Sequence, residues 1–320
     1  MPVSYYLCAR RNQHGMKTEH LPDTTTEHLR KKVSFVLYHA IALITVIIWG
    51  TTYVSTKVLI NAGLSPVEIM LYRFVLAYVC LLLVSYRKRW ADTPKDELLL
   101  FLCGLFGGSV YFLAENTALE ITLASNVSLL LCTAPVFTIL LSRVFYKEAL
   151  RRNLLYGSLI ALVGVGMVVL NGSMVLKINP VGDLLTLVAA VSWAVYCLIL
   201  KRLGNLYSTL FITRKVFFYG IASLLLYQLF FPSAMNVSLL SSPVVSLNLL
   251  FLGMVASMLC YLMWNTAVRV LGASKTANYI YIGPLVTLVT SWIFLSEPLT
   301  AMTLAGAFLI IFGIYIAEKK

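Results

Sequence analysis

From residue 35 onward the chain is a succession of long apolar runs separated by short polar breaks. Five lie near Phe35–Leu59, Val67–Tyr86, Leu98–Ala114, Ile121–Phe145 and Leu154–Leu170. After a hydrophilic break at Asn171–Asp183, five more follow near Leu184–Leu200, Leu210–Phe231, Val244–Val268, Thr276–Leu295 and Met302–Ala317. About 20 helical residues cross a bilayer core, and each run is long enough to do so. In hydrocarbon only helices and closed barrels satisfy the backbone, and no run shows the period-2 alternation of a barrel strand. The pattern predicts an all-α membrane protein of ten transmembrane helices. Residues 1–34 form a polar tail that lacks the apolar core of a signal peptide, and Met16 is an alternative start.

Composition sharpens this picture. Hydrophobic side chains make up 60% of the 320 residues and charged ones only 12%, about half the charge of a soluble domain. That argues against a soluble enzyme, a disordered chain and a disulfide mini-protein. The net charge of +12 is explained by placement. With the tail in the cytoplasm and the helices alternating, 22 of the 25 Lys and Arg fall on the cytoplasmic side, as the positive-inside rule requires. Lys57 and Lys177 fall outside it, and Arg73 lies within the second run. The expected location is the plasma or inner membrane, with both termini cytoplasmic. Basic residues spread between spans do not make a nucleic-acid surface. The six cysteines are scattered without a CxxC pair, and His39 is the sole histidine beyond the tail, so neither metal nor cofactor is expected.

The second half of the chain repeats the first. Asn116-Thr117-Ala118 recurs as Asn265-Thr266-Ala267, an offset of 149 positions. The same offset carries Gly104 onto Gly253, Ala124-Ser125 onto Ala273-Ser274, Pro135 onto Pro284, Glu148 onto Glu297, Gly157 onto Gly306 and Gly164 onto Gly313. Trp49 precedes Lys57 by eight residues, as Trp193 precedes Lys201. The expected organisation is a tail (1–34), a first five-helix repeat (35–172), a short linker (173–183), a second five-helix repeat (184–317) and a C-terminus (318–320). Five is odd, so the copies cross in opposite senses, and the loop charges agree: Glu120 corresponds to Arg269, and Arg143 to Trp292. Two inverted five-helix repeats are a secondary-transporter architecture, with the binding region near the bilayer midplane.

These residues resemble the drug/metabolite transporter superfamily in its EamA branch. The resemblance spans about Val33 to Ala317 and is carried by Trp49-Gly50-Thr51 with Lys57, by Pro66, Glu68 and Arg73-Phe74, by Ala124-Ser125, Pro135 and Glu148-Ala149-Leu150, and again by Ala273-Ser274, Pro284 and Glu297-Pro298-Leu299. Departures are Ala194 in place of Gly50 and Ser208 in place of Pro66. The resemblance implies a carrier of small organic solutes, often an exporter of amino acids or related metabolites.

Candidate residues carry two readings each. Arg73, inside an apolar helix, suits a substrate carboxylate; as a structural residue it would pair with Glu68, Glu115 or Glu120. Trp49, Tyr53, Tyr111, Trp193 and Tyr196 lie within helices and suit a cavity half apolar and half wet, with Asn126, Lys275, Asn278 and Tyr279 as further lining candidates. Lys275 reads equally as a topology determinant. Pro135 and Pro284 break helices four and nine at matching places, which marks either a binding region or a packing kink. Glu148 and Glu297 read as structural helix ends. The function expected is a secondary transporter of amino-acid-like zwitterionic or anionic metabolites, exporting by alternating access. A passive channel of the same fold is the alternative, ahead of a scaffold or receptor. An enzyme is not expected, because the apolar runs lack convergent acids, bases and ligands. The partners expected are a small solute and the lipid bilayer, not nucleic acid, and the oligomeric state is left open.

Overall fold

The computed structural model describes residues 24–86, 88–121, 124–149, 151–170, 179–232, 235–286, 289 and 300–319. Residues 1–37 and 38–320 form separate units, and the geometry below belongs to the second. Every regular element among the described residues is helical: α1 (Thr24–Asn61), α2 (Pro66–Val84), α3 (Pro94–Gly104), α4 (Tyr111–Ile121), α5 (Ala124–Leu131), α6 (Ala134–Tyr146) and α7 (Arg152–Leu170), followed by α8 (Pro180–Leu203), α9 (Thr209–Phe230), α10 (Pro243–Leu250), α11 (Cys260–Leu271), α12 (Ala273–Ala277) and α13 (Ala301–Glu318). Six helical stretches are long and apolar enough to cross a membrane: 66–84, 94–118, 129–146, 180–203, 209–230 and 243–271. Shorter apolar helices cover 36–52, 152–168 and 301–317. The predicted run Thr276–Leu295 lies in large part outside the described residues. Large apolar side chains stay exposed along the helices, for example Leu83 at 76% and Leu229 at 78%, as a lipid-facing surface requires.

The starts of these helices are written locally. Ser65 accepts from the Glu68 N–H while Glu68 receives the Ser65 N–H, with Pro66 in the first turn where a missing N–H costs nothing. Thr93-Pro94 and Asn179-Pro180 start α3 and α8 in the same way, each with a side-chain cap on the third residue. Ser208 caps α9, so the caps align Ser65 with Ser208, one residue away from the Pro66–Ser208 match expected from sequence.

Two predicted helices are not uniform. Leu105–Val110 between α3 and α4, and Phe251–Leu259 between α10 and α11, are wound as π-helix. The 149-residue offset superposes the first segment on the last six residues of the second. π-helical insertions loosen the carbonyl ladder and recur at functional sites. The fourth predicted helix is interrupted: α5 stops at Leu131, a turn follows, and Pro135 is the second residue of α6. Past α12 the chain tightens to 3₁₀ over Asn278–Ile282, and Pro284 follows that segment.

Helices α7 and α13 make the most extensive contact among the described elements. They run antiparallel, with Gly157 against Gly313 and Gly164 against Gly306. A Cβ at Gly164 would stand 2.6 Å from the Gly306 carbonyl oxygen, and one at Gly306 would stand 2.7 Å from that of Gly164. Only glycine permits this approach.

Candidate functional site

Six aromatic rings meet where the π-helical segments pass α1 and α8. Trp193 on α8 is the hub: its ring lies 5.4 Å from Trp49, 5.2 Å from both Tyr111 and Tyr196, 5.7 Å from Trp264 and 6.0 Å from Tyr261. Trp49 also faces Trp264 at 5.2 Å and Tyr261 at 5.9 Å. Helical spacing gathers them: Trp193 and Tyr196 are three apart on α8, and Tyr261 and Trp264 three apart on α11. Trp264 and Tyr196 are fully buried and Trp193 is 5% exposed.

The π-helical carbonyls feed this cluster with acceptors. The Trp49 indole donates to the Ala256 carbonyl at 3.0 Å, and the Tyr261 hydroxyl to that of Gly107 at 2.6 Å. Ser192 donates to the Phe106 carbonyl at 2.8 Å. Gly107 has to be glycine, since a Cβ there would run into the Tyr196 ring. The Tyr196 hydroxyl reaches Asn265 Oδ1 at 2.5 Å, and the Asn265 amide donates to Thr213 at 2.8 Å. The indole nitrogens of Trp193 and Trp264 are buried; that of Trp193 has no hydrogen-bond partner, and that of Trp264 has only the Cys197 thiol beside it. An unmade bond of this kind costs about 1–3 kcal/mol, so the Trp193 donor stands out.

Arg73 borders the cluster at 6% exposure. Its Nε donates to the Ser257 hydroxyl at 2.8 Å, and the guanidinium carbon lies 4.8 Å from the centre of the Phe112 ring. Of the acids expected as partners, Glu68 is engaged elsewhere, by the backbone N–H groups of Ser65 and Asn236. Buried Glu115 accepts from the Tyr111 hydroxyl at 3.1 Å and lies within electrostatic reach of Arg73.

Trp49, Arg73, Tyr111, Trp193 and Tyr196 are thus brought together. Asn278 and Tyr279 bond elsewhere. Asn278 Oδ1 accepts from Ser158 at 3.0 Å, and the Tyr279 hydroxyl lies 2.5 Å from His39 Nδ1. Lys275 is on α12, half-buried. The side chains of Tyr53 and Asn126, and the whole of Glu297, lie outside the described residues. Glu148 follows α6, where it accepts from Ser142 at 2.7 Å and forms an ion pair with Lys201 of α8. Burial pushes its carboxyl up, but the hydrogen bonds from Lys201 and Ser142 outweigh this and hold its pKa below the ordinary value. Tyr261 and Trp264 belong to the aromatic set that exceeds packing needs, though not to the cavity candidates, and Ser257 and Asn265 are not among the candidates. Their signal was present, because the repeated Asn265-Thr266-Ala267 follows Trp264 directly and Ser257, Tyr261 and Trp264 share one helical face.

Among the described residues, six helices long and apolar enough to cross a membrane, with large apolar side chains exposed along them, fit a multi-pass membrane protein. The EamA-like transporter family matches residues 36–170 and again 180–318. The chain belongs to that family and is a membrane transporter of it. An uncharacterized transporter of Archaeoglobus fulgidus is 31% identical over 87% of this chain and 97% of its own. A probable amino-acid metabolite efflux pump of Salmonella typhimurium is also 31% identical, over 86% and 93%. A probable terminal-alkyne amino-acid exporter of Streptantibioticus cattleyicolor is 27% identical over 87% and 92%. A solved crystal structure matches with a TM-score of 0.71 at 18% identity, covering 88% of this chain and 97% of that one, a likeness of fold.

Proposed function

We propose that this protein is a secondary carrier that exports amino-acid-like metabolites across the plasma membrane by alternating access. In this reading two inverted five-helix repeats of ten helices in all rock around the aromatic cluster, and both termini are cytoplasmic. The observation that carries it is the buried, unpartnered indole N–H of Trp193, next to the Trp264 indole and buried Arg73. Such a donor and a guanidinium suit a carboxylate, and the surrounding ring faces suit an apolar side chain or an ammonium group. Export agrees with what two of the relatives are named for.

The repeat reading draws support from packing. Trp49 and Trp193, offset by 144, touch each other, and so do Phe74 and Phe217, offset by 143, at 5.2 Å. Residues in contact with their own repeat mates are what a two-fold axis between the halves produces. The glycine seam is reciprocal in the same sense: the offset of 149 turns the Gly157–Gly313 contact into Gly306–Gly164. Repeat mates α7 and α13 running antiparallel fit insertion in opposite senses.

The test is tracer flux into proteoliposomes holding the purified protein, with a panel of L-amino acids and small organic anions, with and without trapped unlabelled solute. Saturable uptake accelerated by trapped solute is expected for at least one amino acid. Flux rising linearly with concentration would instead mean a channel. Unchanged kinetics in both Trp193→Phe and Trp264→Phe would remove the aromatic cluster from the pathway.

A further inference from the structure

The two halves treat one hydrogen bond differently, and the difference is one oxygen atom. Trp49 donates to Ala256, the carbonyl of the second π-helical segment. The repeat mates of these two residues are Trp193 and Gly107. Were the halves alike, Trp193 would donate to Gly107. That carbonyl is instead held by the Tyr261 hydroxyl at 2.6 Å, and the neighbouring Phe106 carbonyl is held by Ser192. The repeat mate of Tyr261 is Phe112, which has no hydroxyl, so nothing competes with Trp49 for Ala256. The Trp193 nitrogen is left buried and without an acceptor.

We infer that Tyr261 is a positioning residue: by occupying the Gly107 carbonyl it withholds from Trp193 its protein acceptor and keeps that indole N–H for the carboxylate of a bound solute. The inference rests on the site reading above and adds the residue that sets the site's polarity. The cost is a donor left without a partner while the site is empty. The return is a donor already desolvated and oriented when a carboxylate arrives, with no internal bond to break first. Trp49, whose N–H is satisfied internally, then contributes only its ring face.

The experiment uses full-length protein in lipid nanodiscs with ¹⁵N-labelled tryptophan. The indole signals are assigned by single Trp→Phe substitutions. In Tyr261→Phe, without added solute, the Trp193 indole proton is expected to move downfield and gain protection from exchange as it takes the Gly107 carbonyl. The Trp49 signal should stay where it is and report an intact fold. An unmoved Trp193 signal overturns the inference.

The second arm compares L-leucine with L-leucinamide in proteoliposome uptake. Tyr261→Phe and Trp193→Phe are each expected to raise KM for leucine about tenfold, the worth of one hydrogen bond to a charged group, with the amide much less affected. The double substitution should lose no more than either single one, since both remove the same bond. Equal loss for acid and amide, or additive losses, would mean that Tyr261 only packs. If leucine is not carried at all, the transport reading fails on that substrate, while the solute-free indole shift still decides where the Trp193 proton goes.

Discussion

Arg73 sits in α2 with its Nε on the Ser257 hydroxyl, its guanidinium against the Phe112 ring and buried Glu115 within electrostatic reach. A central Arg costs about 2.5–3.5 kcal/mol on insertion scales, so its retention beside the ring cluster calls for a use. Lysine can supply the charge but not the planar fork that serves Ser257 and a ligand together. Arg73→Lys is therefore expected to fold, as judged by gel filtration, and to lose most uptake. Ser257→Ala removes one interhelical hydrogen bond and should cost about 1 kcal/mol in thermal unfolding. The sequence places Arg73 inside a helix and names Glu115 among its acidic partners, but not the hydroxyl it bonds. A hydroxyl 184 positions away is settled by helix packing, which no local pattern encodes. For the same reason the bonds of Asn278 to Ser158 and of Tyr279 to His39 are not legible locally.

Among elements, most helices are legible from the apolar runs, while their starts are set by cap and proline standing together, as at Ser65-Pro66 and Asn179-Pro180. The π-helical segments are not legible in this way. Their small residues, Gly104 with Gly108 and Gly253 with Ser257, suit close helix packing, and the carbonyls that Trp49, Ser192 and Tyr261 reach lie in these segments. The glycines of the α7–α13 seam were found by their spacing, though their pairing was not. Gly164→Ala should destabilise by about 1–3 kcal/mol, because its new methyl meets the Gly306 carbonyl. Gly166→Ala should be neutral, since its nearest neighbour is a flexible Leu129 methyl at 3.9 Å. Thermal unfolding in detergent compares the two.

At the scale of the molecule, the ion pair between Glu148 and Lys201 ties the end of α6 to α8, and thereby joins stretches of chain on either side of the hydrophilic segment Asn171–Asp183. The Glu148 carboxyl titrates below its ordinary value, so its contribution is complete above the unfolded value of about 4.3. That contribution fades as pH falls through the lower folded value. Glu148→Gln should thus melt below the wild type at pH 7, and the gap should close as the pH is taken under about 4. A gap independent of pH would show that the carboxylate charge is not what matters there.

The reciprocal glycine contacts of α7 and α13 have a genealogical consequence. An interface that reads the same from both partners is how two copies of one short chain would meet, so on the proposed two-repeat reading the seam would be a surviving homodimer contact inside a fused gene. On the inverted reading, the ancestral single-copy product had to insert both ways up in the same membrane. The fusion would then have freed each half to bias its own loops. Residues 36–170 and 180–318, expressed as two polypeptides, are expected to find each other along that seam and co-purify. Gly157→Leu in the one half should abolish the pairing.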